Sequence, residues 1–142
     1  MAAVLDMLGG AKAVRRSPGS VQEWVEALRQ GLPAASALAF KQVMHLTGEE
    51  LAELLGVSPR TVHRWTSGHA KLDLVTGDRL VRAARLFTLA CLVLEDEHAA
   101  AGWMRTPQRA LDGGIPLKLA ATDVGARAVE TLLGRMELGV YN

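Results

Sequence analysis

One stretch, T-G-E-E-L-A-E-L-L-G-V-S-P-R-T-V-H-R-W at positions 47–65, constrains what this chain can fold into more than any other. Thr47 and Glu50 stand at the spacing that lets a hydroxyl and a carboxylate cap each other's backbone N–H groups, so a helix starts there. Leu51, Leu54 and Leu55 then share one apolar face, and Ala52 is small where a second helix has to cross closely. Gly56 can take the left-handed conformation that stops the helix. Val57 fills the angle that follows, Ser58 is a strong N-cap, and Pro59 is pre-set for the first position of the next helix. Val62 and Trp65 point inward. The pattern predicts a helix-turn-helix that leaves Arg60, Thr61, His63 and Arg64 facing outward. A helical hairpin packed for stability alone, with solvated arginines, would satisfy the same spacing.

Composition extends the helical reading to the whole chain. Of 142 residues, 22 are Ala and 22 are Leu, while aromatics make up 4%. Short or unbranched side chains lose little freedom in a helix, and strand formers are scarce, so an all-α fold is expected. The single cysteine, Cys91, has no intramolecular partner and lies in the apolar run 86–94, where a free thiol packs as a small hydrophobe. Residues 1–10 hold no Lys or Arg ahead of a hydrophobic stretch, and no apolar run approaches the ~18 residues of a membrane span. A cytoplasmic protein with no membrane contact is therefore expected. Histidines 45, 63, 69 and 98 show no ligand spacing, so neither a metal nor a cofactor is expected. The sequence also lacks a P-loop, a nucleophile elbow and a dinucleotide fingerprint, so no enzyme activity is assigned.

Residues 1–19 mix Gly, Ser and Pro with Arg15 and Arg16 and read as a flexible leader with at most a short helical turn near its start. Ser20 and Glu23 form a second capping box, and Val21, Trp24, Val25 and Leu28 follow at helical spacing up to the stop at Gly31. Pro33 opens a helix carrying Leu38, Phe40, Val43 and Met44. A long helix is predicted over residues 72–96, with Leu80, Ala84, Phe87, Cys91 and Leu94 on one stripe and Val81, Leu89 and Leu92 beside it. That breadth suits either a central core helix or a homodimer face. Residues 20–96 then form a DNA-binding and dimerisation domain, and residues 97–142 a small C-terminal helical domain joined to it through the long helix. In the last helix, capped by Thr122, the residues Val124, Ala128, Val129, Leu132, Leu133 and Met136 are expected to face inward.

Net charge is only +1 overall, yet it is unevenly spread. Between Gly56 and Leu86 stand Arg60, Arg64, Lys71, Arg79, Arg82 and Arg85 against Asp73 and Asp78, a local net of +4 that leaves −3 elsewhere. This is the segregation a phosphate-binding face requires. Ser58, Arg60, Thr61, His63, Arg64 and Lys71 are the candidate DNA contacts. An Arg pairs bidentately with guanine, and Thr offers a hydroxyl or a methyl. The Ser58 cap and nearby N–H groups suit a phosphate, and His63 flanks the contact.

Further along, the chain runs W-x-x-T-P-x-x-A-L-x-G-G-x-P-L from Trp103 to Leu117, then T-x-x-G ending at Gly125, and L-x-R-x-x-x-G from Leu133 to Gly139. This arrangement resembles the C-terminal domain of the Xre/MbcA/ParS antitoxins, which follows an Xre-like helix-turn-helix in the same order as here. The resemblance implies an antitoxin that blocks the active site of an NAD-degrading RES-domain toxin and represses its own operon. It implies two partners, the cognate toxin and operator DNA, and assembly as a homodimer or a higher hetero-oligomer with the toxin. It also implies that Arg135, Glu137, Tyr141 and Asn142 approach the toxin's cleft. The alternative is a stand-alone helix-turn-helix repressor whose C-terminal domain senses a ligand or dimerises. The Trp103–Leu117 motif itself reads as a folding element, since its Pro and Gly positions are turn punctuation.

Overall fold

Local capping chemistry sets most helix ends in this chain. The structure, a computed structural model, describes residues 2–10 and 18–139. The element order is α1 (Ala2–Met7), α2 (Val21–Gln30), α3 (Ala34–Met44), α4 (Gly48–Leu55), α5 (Pro59–Arg64) and a 3-10 turn at Trp65–Ser67. Then come α6 (Leu74–Leu94), α7 (Glu97–Arg105), a 3-10 turn at Arg109–Leu111, α8 (Pro116–Leu119) and α9 (Asp123–Glu137). Among the described residues the only β-type pairings are isolated bridges, Pro33 with Lys71 and Gln108 with Gly114, so the fold is all-helical. The chain divides into two compact units, Met1–Ala84 and Arg85–Asn142. The division falls inside α6, whereas the sequence pattern places a boundary at the end of that helix.

In the first unit, Phe40, Met44, Leu51, Leu55 and Leu80 are fully enclosed. Each contributes about 1.5–3 kcal/mol by leaving water. Thr47 and Glu50 form the reciprocal capping box, at 3.1 Å and 2.9 Å. Ser20 caps α2 through the Glu23 N–H at 3.1 Å, but the Glu23 carboxylate accepts from Gly19 and not from Ser20, so that box is shifted by one residue. Pro33 is the N-cap of α3 and not its first helical residue. Of the expected leader 1–19, residues 11–17 lie outside the described residues; near its start Ala2–Met7 form the short α1 against α3, with Val4 and Leu8 buried at i, i+4 spacing. Val21 and Val25 are exposed, contrary to the inward face expected for them, because Trp24 and Ala27 set the phase of α2.

The second unit is built on the C-terminal half of α6, where Leu86, Phe87 and Ala90 are buried together with Ala100, Met104, Leu117, Val129 and Leu133. Cys91 and Leu94 are half-buried, and Leu92 is exposed. Asp96 caps α7 through the Ala99 N–H, and Thr122 caps α9 through the Gly125 N–H at 3.0 Å. The phase of α9 differs from the expected one: Gly125, Ala126, Val129, Leu132 and Leu133 face in, Met136 is half-buried, and Val124 and Ala128 face out. The cause is a close approach at Gly125, where a Cβ would lie 2.0 Å from the Leu119 carbonyl oxygen. Only the residue without a side chain fits against that carbonyl, so the helix turns Gly125 inward and Val124 outward.

Candidate functional site

The exposed face of α5 is built by a chain of short hydrogen bonds. Ser58 Oγ accepts from the Thr61 N–H at 3.1 Å and lies 3.0 Å from Thr61 Oγ1, to which Arg64 Nη2 donates at 3.2 Å. Arg64 is thereby held against the helix rather than left to roam. Ser58 spends its oxygen on the cap, which removes the hydroxyl acceptor from the set available to other partners. Arg60, His63 and Arg64 are exposed and Thr61 is half-buried, while Val62 and Trp65 are buried beneath them. Lys71 is exposed as well, and its backbone is fixed by the bridge to Pro33. On either side of that bridge, Ala34 N–H donates to Ala70 at 2.8 Å and Leu72 N–H to Leu32 at 2.7 Å.

The six cations counted in the basic segment are not equivalent. Arg79 is half-buried and donates from Nη1 to the Leu55 carbonyl at 3.1 Å. Arg82 lies 3.7 Å from the Asp78 carboxylate. A charge count along the sequence cannot separate these two from Arg60, Arg64 and Lys71: Arg79 is committed across elements, to the turn after α4, and Arg82 within α6, beside Asp78. Beside Arg79, Asp73 caps α6 by accepting from the Thr76 N–H at 2.8 Å. That backbone bond, with help from the Thr76 hydroxyl and the Arg79 charge and against a small burial effect, holds the Asp73 carboxyl below its ordinary range.

In the second unit, the Trp103–Leu117 motif is held by its own hydrogen bonds. Gln108 Nε2 donates to the Trp103 and Thr106 carbonyls at 3.1 Å and 3.0 Å, and its backbone pairs with Gly113 and Gly114. Thr106 Oγ1 donates back to the Gly102 carbonyl at 2.8 Å. A Cβ on Gly114 would lie 2.8 Å from Leu119 Cδ1 and 3.0 Å from the Leu111 carbonyl oxygen, so the second glycine of the pair sits in a tight fit. The motif is a folding element, as its punctuation implies. Next to it lies an open groove of about 310 Å³, with Ala110 and Leu111 facing Arg127, Ala128, Leu132 and Arg135 of α9. Arg127 is paired with Asp123 at 2.9 Å. Arg135 and Glu137, the expected partner contacts on α9, are exposed in its last turn. Tyr141 and Asn142 lie outside the described residues. Sequence reasoning gave no role to Gln108 or to the groove, whose walls come from separate elements.

Among the described residues, no group of three or more His, Cys, Asp or Glu side chains is arranged to hold a metal ion. None of the helices described is long and apolar enough to cross a membrane. Burial pushes the Cys91 thiol up to about 11, with the carboxylates of Glu97 and Asp96 adding to the effect. The thiol is therefore almost entirely protonated at pH 8. A disulfide reagent is expected to label Cys91 on the order of a hundredfold more slowly than a free cysteine at that pH, accelerating about tenfold per pH unit above it. Labelling at the free-cysteine rate would show that the site is open to water.

Comparison with known proteins accounts for both units. Residues 23–85 match the antitoxin Xre-like helix-turn-helix domain, and residues 72–139 match the antitoxin Xre/MbcA/ParS C-terminal toxin-binding domain. Antitoxin Xre of Photorhabdus laumondii is 29% identical over 116 residues, covering 81% of this chain and 78% of that one. The mycobacterial cidal antitoxin MbcA of Mycobacterium tuberculosis is 32% identical over 96 residues, covering 68% of this chain and 83% of the relative. A chain from the crystal structure of the M. tuberculosis MbcT-MbcA toxin-antitoxin complex superposes with a TM-score of 0.58 at 28% identity, over 77% of this chain and 96% of that one. With the helix-turn-helix and the toxin-binding domain present in the same order, this chain belongs to the Xre/MbcA/ParS family of antitoxins.

Proposed function

We propose that this antitoxin blocks the active site of a cognate NAD-degrading RES-domain toxin and represses its own operon by binding operator DNA, acting in the cytoplasm and carrying no catalysis of its own. The observation that carries the reading is the pairing, in one chain, of an outward basic helix-turn-helix face with a C-terminal domain matched to a toxin-binding family. In this reading α5 enters the major groove. Arg60 and Arg64 read base edges, Thr61 holds Arg64 and offers its methyl, Ser58 orders the helix start, and His63 and Lys71 lie toward the backbone.

Toxin inhibition is assigned to the end of α9 and the residues after it. Arg135, Glu137, Tyr141 and Asn142 supply a cation, a carboxylate, an aromatic ring and a polar end, the groups that suit a nucleotide cleft lined with charge. The active species is taken to be a homodimer, or a higher hetero-oligomer with toxin. Exposed Leu74, Val75, Val21 and Val25 supply apolar surface on the helix-turn-helix unit for self-association, and operators read by such units are two-fold symmetric.

Co-expression with the product of the neighbouring reading frame, followed by mass measurement of the purified complex, tests the partner directly. Deleting Val140–Asn142 is expected to leave thermal unfolding unchanged and to release toxin activity at least tenfold. Full inhibition by the shortened chain would place the inhibitory contact elsewhere on the C-terminal unit, and failure of any complex to form would remove the toxin from the reading.

A further inference from the structure

We propose that Arg79 is a positioning residue for DNA recognition: from the first turns of α6 it grips the turn between α4 and α5 and so fixes the angle at which α5 is presented. The proposal rests on the DNA-binding reading above. Three observations carry it.

The last carbonyls of a helix have no partner within it, and those of α4 are satisfied from two directions. Gly56 and Val57 N–H groups reach back to Glu53 and Ala52, at 3.3 Å and 3.0 Å. The Leu55 carbonyl instead receives Arg79 Nη1 at 3.1 Å, from 24 residues further along the chain. A guanidinium there also meets the negative end of the α4 dipole.

Gly56 is matched to this guanidinium. Its backbone is left-handed, with φ +71°, and a Cβ would lie 2.0 Å from Arg79 Nη1 and 3.1 Å from Cζ. The cation thus occupies the space that a side chain at the turn would need.

Finally, α5 is only six residues long. So short a helix cannot hold its own axis, and its direction depends on Val62 and Trp65 below it and on the turn before it. Between Leu55 and Arg60 there is little more than that turn. Any slack at Gly56 is passed to Arg60 and Arg64, whose bidentate pairing tolerates little displacement. Arg79 itself is half-buried and engaged, so it orients the reading head rather than touching phosphate.

The test uses the full chain as Arg79→Met and Gly56→Ala, two variants that break the same contact while the second keeps the cation. Hydrogen exchange of the amides at 57–63 is read first, with those at 83–90 as an internal reference. Both variants are expected to lose protection at 57–63 alone. Binding of the DNA upstream of the chain's own reading frame is then measured against salt. Specific affinity is expected to fall on the order of tenfold or more, with an unchanged slope of log affinity against log salt. A slope smaller by about one in Arg79→Met, and not in Gly56→Ala, identifies Arg79 as a phosphate contact and overturns the proposal. Unchanged protection and affinity overturn it as well. Should Arg79→Met fail to fold, Arg79→Lys, which keeps the charge but shortens the reach to the Leu55 carbonyl, decides the question through the same readouts. If the unaltered chain leaves that DNA unbound, the DNA reading fails, and the exchange measurement still decides whether Arg79 holds the turn.

Discussion

Replacing Gly125 by alanine is expected to destabilise the protein by about 3 kcal/mol or more, lowering the unfolding midpoint and the yield of any toxin complex. The added methyl would meet three backbone atoms of Leu119, at 2.0 Å from O, 2.7 Å from C and 2.9 Å from Cα. Backbone cannot rotate aside as a side-chain tip can. Either α8 separates from α9, exposing Leu117, Val129 and Leu133, or the first turn of α9 gives up its cap on Thr122. Gly102 supplies the control, because it lies within α7 and a Cβ there meets nothing within 4 Å. Gly102→Ala is expected to be neutral or to stabilise by about 0.5–1 kcal/mol through helix propensity. Equal midpoints for the two variants in a denaturant titration would mean that the close approach at Leu119 is not maintained in solution.

How much of this was legible in the sequence follows from the range of the forces involved. The helix-turn-helix could be read residue by residue, because caps, a left-handed glycine and an i, i+3 apolar pair act within a few positions. Thr47, Gly56, Ser58 and Val62 therefore stand where the pattern puts them. The same holds for the punctuation of the Trp103–Leu117 motif. What the pattern misplaces is helix phase where a non-local contact decides it. Periodicity favours Val124 and Ala128 as core residues, yet the approach of α9 to Leu119 turns Gly125 and Ala126 inward. In α2, Val21 looks as apolar as Ala27, yet Val21 is exposed and Ala27 is buried, because the burial of Trp24 sets the phase of the helix. Arg79 is the clearest case at the site. In sequence it is one cation among six, and its commitment to Leu55 appears only when α6 and the turn are brought together.

The outward arginines of α5 are expected to dominate DNA affinity. Arg60→Ala and Arg64→Ala are each expected to cost about 1–3 kcal/mol at the operator, so the double variant should bind on the order of a hundredfold or more weakly. The two losses should differ in kind. Arg60 is exposed with no hydrogen-bond partner found for its guanidinium on α5, whereas Arg64 is held by Thr61 Oγ1, which is itself placed by Ser58. Thr61→Val therefore keeps the methyl and the volume but frees Arg64, and should reproduce part of the Arg64→Ala loss while Arg60→Ala remains additive to it. Salt dependence assigns the contacts. A base-reading arginine leaves the slope near its original value and relaxes sequence preference at one operator position, while a phosphate-binding one lowers the slope by about one for every sequence alike. Folding is not at stake in the arginine variants, since both side chains are exposed and remove no core contact. If the double variant still binds the operator within threefold of the original affinity, α5 does not carry recognition. Lys71, exposed on its bridge to Pro33 in the same basic segment, would then be the starting point for locating the DNA face.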